Sequence, residues 1–185
     1  MKNNEVPAVG YRFNPTDKEL IVGYLFNKVH GNPLPSTFAV NECDVYGDSR
    51  AWKGLFEALK EDTLYFFTRL KKKTEKGKRI DRATDSGTWK GQQVDQEIFC
   101  HNDNHQMVHI GSRRNFSFIP KKGIQESRYT WVMHEYRLDG CLLDQNNNPY
   151  ELCKKMMRGK NGRAAMDYND DDEDNGRAAE VWWSN

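Results

Sequence analysis

The sequence predicts an α+β domain, and three observations carry that prediction. A capped helical pattern opens the chain, and a shorter one follows it. A succession of short aromatic and β-branched segments then runs on, separated by Gly, Asn and Asp, which predicts an antiparallel sheet built of hairpins.

Residues 1–5 are expected to be a flexible leader, 6–158 the folded domain and 159–185 a disordered acidic tail. Thr16-Asp17-Lys18-Glu19 has the form of a capping box: the Thr16 hydroxyl accepts from the Glu19 amide and the Glu19 carboxylate reaches back. Pro15 disfavours helix before it. Leu20, Ile21, Tyr24, Leu25 and Val29 fall at helical spacing, so a helix is expected from about Thr16 to His30, ended by Gly31 and Pro33. Residues 32–40 contain two prolines and read as an extended loop. Asp48 or Ser49 caps a second helix through Trp52, Leu55, Phe56 and Leu59. The expected strands are Thr63–Leu70, Thr88–Lys90, Glu97–Cys100, Gln106–Ile110, Asn115–Ile119 and Tyr129–Leu138. Beyond Cys153 the sequence turns polar, and no further element is expected there.

The net charge of +1 hides a division. The last twenty residues hold seven acids and one base, which leaves +7 on residues 1–165. A basic body suits an anionic partner; the tail either tunes that contact or only solubilises the chain. Cys43, Cys100, Cys141 and Cys153 follow no paired spacing, and MKNNEVPAVG lacks the apolar core of a signal peptide. They are read as reduced thiols in an intracellular protein. No apolar run approaches the roughly 20 residues that span a bilayer, so no membrane partner is expected.

From Arg69 to Arg82 stand eight Lys/Arg against Glu75 and Asp81, followed by Ser86-Gly87-Thr88-Trp89-Lys90-Gly91. Cations attract phosphate without regard to sequence, and a short strand carrying polar side chains can present them to base edges. A solvated basic loop before an ordinary hairpin would look the same by charge alone.

Cys100, His101, His105 and His109 would stack as zinc ligands on a helix. Asn102-Asp103-Asn104 predicts a turn instead, which scatters them, so no metal site is assigned. No nucleophile elbow, phosphate-cradling glycine loop or paired carboxylates occur, so neither an enzyme, a cofactor nor a small-molecule substrate is expected. His134 and Glu135, adjacent on a strand, point to opposite faces, which makes His134 a buried structural residue rather than half of an acid/base pair.

GYRFNPTDKEL, YFFTRLKKK, SGTWKG and YTWVMHEYRLDG, in that order, resemble the NAC domain of plant transcription factors, over about Val6 to Lys155. The resemblance implies a twisted antiparallel sheet flanked by a few helices, nuclear localisation, and a homodimer, or a heterodimer with other NAC proteins, on double-stranded DNA. An arginine and a glutamate that pair across the family's dimer match Arg12 and Glu19; as a helix cap, Glu19 has a competing role. The family's DNA-contacting positions match Arg79, Arg82, Lys90, Gln92, Gln93 and Asp95, with Arg113, Arg114, Lys121 and Lys122 at the later basic positions. Trp89 is expected to be buried, holding its strand to the sheet.

The departures lie at the reading strand. Where the family has Ala-Thr-Gly-x-Asp-Lys, this chain has Gly91-Gln92-Gln93-Val94-Asp95-Gln96, and Arg-Pro-Asn-Arg becomes Arg79-Ile80-Asp81-Arg82. The loop between Gly123 and Trp131 is longer than the family's. Two long amides change the tip that enters the groove, so the family's preference for a core related to CACG is expected to shift. Two functions follow: a dimeric, sequence-preferring transcription regulator, or a DNA-binding-impaired partner that dimerises with complete family members and modulates them.

Overall fold

The computed structural model describes residues 12–74, 79–92, 94–124, 129–143 and 150–159. The expected leader lies outside them, as do Gln93, Lys76, Lys78 and the expected tail beyond Gly159, whose first residue instead ends a strand.

The first helical stretch runs from α1 (Asp17–Glu19) through a π-helical segment (Leu20–Leu25) into α2 (Phe26–His30). Its capping box is formed in both directions, and it ends where Gly31 adopts a left-handed φ of 69°. Helix α3 (Ser49–Leu59) is capped by Asp48, whose side chain accepts from the Arg50 amide.

Among the described residues, seven strands form one sheet: β1 (Asn41–Glu42), β2 (Thr63–Arg69), β3 (Gly87–Gly91), β4 (Gln96–His101), β5 (Met107–Pro120), β6 (Tyr129–Leu138) and β7 (Tyr150–Gly159). Their order is β1-β2-β7-β6-β5-β3, with β4 also on β5. The α+β class holds, but two features depart from a simple run of hairpins. β1 pairs parallel to β2, and β7 lies between β2 and β6 in the middle of the sheet. The polar texture after Cys153 hides a strand because Leu152, Cys153 and Lys155 are all buried there.

The segments 106–110 and 115–119 are one strand, β5. Gly111 interrupts the sequence pattern but not the strand: a Cβ there would meet Arg137 O at 2.6 Å and Ile21 Cδ1 at 2.8 Å. Glycine lets the N-terminal helix lie directly on the sheet.

Alternation along β2 divides the core. Leu64 and Phe66 join Trp52, Phe56, Trp89, Phe118 and Trp131 beneath α3. Tyr65 and Phe67 join Leu20, Ile21, Leu25, Ile110 and Tyr136 beneath the N-terminal helix. The sheet is thus covered by helix on both faces. Asp17 fixes that helix to the strands, accepting from Arg113 Nη1 at 2.6 Å and from the Tyr136 hydroxyl at 2.7 Å. Burial, then the Asp17 hydrogen bond, raise the Tyr136 phenol far above its ordinary range. Among the described residues no helix is long and apolar enough to cross a membrane.

Candidate nucleic-acid interface

β3 is held from three directions. Its ladder partner is β5, with Trp89 opposite Phe118 and Lys90 opposite Ser117. Trp89 is 2% exposed and packs 5.1 Å from Phe118 and 5.8 Å from Trp52, so it anchors the strand as expected. A Cβ at Gly87 would meet Phe118 Cζ at 2.4 Å, so only glycine admits that approach. The turn before β3 is tied to α3: Asp85 accepts from the Ser49 amide at 2.8 Å, and Ser86 Oγ donates to Ser49 Oγ at 2.6 Å.

The outer edge of β3 carries the basic arm. The Trp89 amide donates to Arg82 O at 3.0 Å, and Ala83 bridges to Thr88. Behind it the arm folds on itself: the Lys73 amide donates to Arg79 O at 2.9 Å, and the Asp81 amide to Lys71 O at 2.7 Å. The charge run is therefore a stitched ladder, with Lys71, Lys72, Lys73 and Arg79 exposed. A cleft of about 780 Å³ lies between arm and sheet, lined by Lys73, Arg79, Arg82, Thr88, Val94 and Arg114 among others.

The residues at the family's DNA-contacting positions divide by their bonding. Lys90, Gln92, Arg79 and Lys122 are exposed side chains around β3 and its flanks. Lys121 is exposed and its Nζ donates to Asp85 O at 2.7 Å, against the turn before β3. Arg82 has an internal task that sequence alone did not reveal. Its side chain is only 13% exposed, donating to Glu135 through Nε at 3.0 Å and Nη2 at 2.6 Å. Its guanidinium also lies 4.7 Å from the Phe116 ring centre.

Arg114 grips Asp95 through both carboxylate oxygens, and those hydrogen bonds hold the Asp95 carboxyl below its ordinary range. Arg113 binds Asp17 and Gln96. Gln93 lies outside the described residues.

Glu135, not His134, is the buried member of that pair. It is 2% exposed and accepts from Arg82, the Tyr46 hydroxyl and Arg137, whereas His134 is half-buried on the other face. Burial works to raise its carboxyl; Arg82, Tyr46 and Arg137 outweigh it and leave the group below the ordinary range. In the β4–β5 hairpin His105 occupies the turn with a φ of 58°, and His109 stacks at 5.3 Å on Phe99.

At the other site, Glu19 Oε2 accepts from the Thr16 amide at 2.7 Å and the Thr16 hydroxyl at 2.9 Å. The backbone bond from Thr16, then its hydroxyl bond, lower the Glu19 carboxyl. Arg12 and Glu19 line one cleft of about 700 Å³ with Phe13, Pro15 and Val22.

The family model described as No apical meristem (NAM) protein matches residues 7–138. The chain is 34% identical over 161 residues to NAC domain containing protein 52 of Arabidopsis thaliana, covering 84% of this chain and 34% of that one. It is 38% identical over 129 residues to NAC domain-containing protein 83 and over 159 residues to Protein CUP-SHAPED COTYLEDON 1, both of the same plant. Those alignments cover 70% and 80% of this chain, and 48% of each relative. The chain thus spans about a third to a half of the length of these relatives. With a buried Trp anchoring a short strand beside a basic ladder, and a family match across most of the domain, the chain belongs to the NAC (No apical meristem) family of plant transcription factors.

Proposed function

We propose that this protein is a nuclear, dimeric, sequence-preferring reader of duplex DNA that regulates transcription. The observation that carries the reading is the tip of β3. Lys90 and Gln92 stand exposed on a strand whose Trp89 is locked in the core, and the ladder of Lys71, Lys72, Lys73 and Arg79 flanks the same edge. Gln92 matches the paired donor and acceptor of adenine in the major groove, and Gln93 has the same chemistry. The ladder cations, with Lys121 and Lys122, supply phosphate attraction. Asp95 sits in this surface with its charge balanced by Arg114.

Selection from a random duplex pool by the full chain, at near-physiological salt, is expected to enrich a short core motif. Lys90→Ala is expected to weaken binding and flatten the slope of log K against log salt by about 0.9 for each phosphate left without its cation. An unchanged slope would remove Lys90 from the interface.

Dimerisation through Arg12 and Glu19 is part of the proposal. Both cap bonds land on Oε2 of Glu19, so the cap and a cross-dimer pair do not need the same oxygen. Arg12→Glu is expected to give a monomer in sedimentation, and Arg12→Glu with Glu19→Arg to recover the dimer. The double variant also loses the capping box, at about 1 kcal/mol, so its folding is checked by circular dichroism first. A dimeric Arg12→Glu protein would exclude this contact.

One observation favours the second reading, a dimerising partner with impaired DNA binding. Arg82, Arg113 and Arg114 all spend their guanidinium groups on the chain's own carboxylates. Binding without an enriched motif, or none at all, would decide for it.

A further inference from the structure

We propose that Val94 is a specificity-determining contact, and that the group it reads is the 5-methyl of a thymine. The inference rests on the reading of β3 and its following loop as the DNA-contacting element. Val94 is 87% exposed, the most exposed of the large hydrophobic residues described. An apolar side chain held in water gains by meeting an apolar partner, and the gain grows with the area covered.

The described residues beside it are held. The Gln92 amide donates to Asn115 O at 3.0 Å, and Asp95, next to Val94, is gripped by Arg114. Those partners are neighbours on β5, so Gln92 and Asp95 are both tied to one strand. Val94 is presented beside a fixed Asp95, which lowers the ordering cost of a contact. The surroundings are cationic: Val94 borders the same cleft as Lys73 and Arg79, and Lys90 is exposed two residues before Gln92. A protein or lipid partner would have to match that charge with an apolar point at its centre. Duplex DNA does so directly, because phosphates flank a groove in which thymine's methyl is the one apolar group on a base edge. Gln92, suited to adenine, stands two residues before it in the sequence. Together they favour a core containing an A·T step.

The experiment uses the full chain and its selected duplex, with each thymine replaced in turn by deoxyuridine, which removes only the methyl. Affinity is read by fluorescence anisotropy at fixed salt. One position is expected to lose about threefold to tenfold in affinity with the wild-type protein. Val94→Ser is expected to lose a similar factor on the thymine duplex, and to show no further loss on the deoxyuridine duplex. Its thermal unfolding stays unchanged, because the side chain is already 87% exposed in the folded protein. Wild-type binding within twofold on every substituted duplex would overturn the assignment alone, as would undiminished deoxyuridine sensitivity in Val94→Ser or a selected core lacking thymine. Failure to bind any duplex would overturn the DNA-reading proposal itself and this inference with it.

Discussion

Glu135→Ala is expected to destabilise the domain by about 3–5 kcal/mol, because it strips the partner from a charge that has little access to water. Arg82 reaches from the basic arm across to β6, and its side chain is 13% exposed. Without Glu135 its guanidinium loses both bonds, and the Tyr46 hydroxyl loses the carboxylate it donates to. The urea midpoint should fall at nearly constant slope, and amide exchange should rise first in the arm around residues 79–83. A loss under about 1 kcal/mol would mean that the pair contributes no more than a surface bridge.

The same network predicts a pH dependence. Glu135 is depressed in the folded state below its ordinary 4.5. Its stabilisation is therefore complete above about 4.5 and is lost as pH falls through the lower folded value. Glu135→Gln should remove that acid limb. This also changes what a truncation at Arg82 would report: weaker DNA binding by Arg82→Ala would combine a missing cation with a loosened arm, which makes Lys90 the cleaner probe.

Lys155→Met is expected to stabilise the domain by about 1–3 kcal/mol. Lys155 is fully buried in β7, with Nζ 3.5 Å from the Trp52 ring centre and 4.6 Å from that of Trp89. Its one hydrogen bond described is a long one, 3.5 Å to Val45 O. Burial lowers its proton affinity well below that of an ordinary lysine. The unfolded chain holds that proton until pH approaches about 10.5, so between the folded value and 10.5 the unfolded state binds more protons. Wild-type stability therefore rises with pH across that window, and the rise should be missing from Lys155→Met. Methionine has a similar length and no polar atom to satisfy. A lower urea midpoint for Lys155→Met would show instead that a charged ammonium is held over Trp52 and Trp89, where a desolvated cation is worth about 2 kcal/mol.

What was legible beforehand was what neighbours in sequence decide. The Thr16–Glu19 box is a contact three residues long, and the helix behind it follows from the spacing of Leu20, Ile21, Tyr24 and Leu25. Trp89 could be placed in the core because the paired bases of a duplex offer an indole no face to stack on, and it is buried there. The family motifs are short and ordered, so the family was legible from the sequence alone.

What failed were judgements by texture. Gly111, Arg113 and Arg114 fall in the gap between the two strands expected at 106–110 and 115–119, yet the glycine makes room for Ile21, and the arginines are met by Asp17 and Asp95. β7 looked too polar to be a central strand because Lys155 is charged in every local sense. Its burial is set by Trp52 and Trp89, far away in the chain.

By itself, then, the sequence determined the α+β class, the capped first helix, the strand carrying Trp89 and Lys90, and the excess of cations around it. These rest on periodicity, capping and charge, which act over a few residues. Only the tertiary structure decided that Arg82 serves Glu135, that Val94 stands exposed beside an Asp95 held by Arg114, and that a lysine completes the core. Each depends on which residues meet across the sheet, where desolvation decides whether a charge is spent inside the fold or left to face a partner.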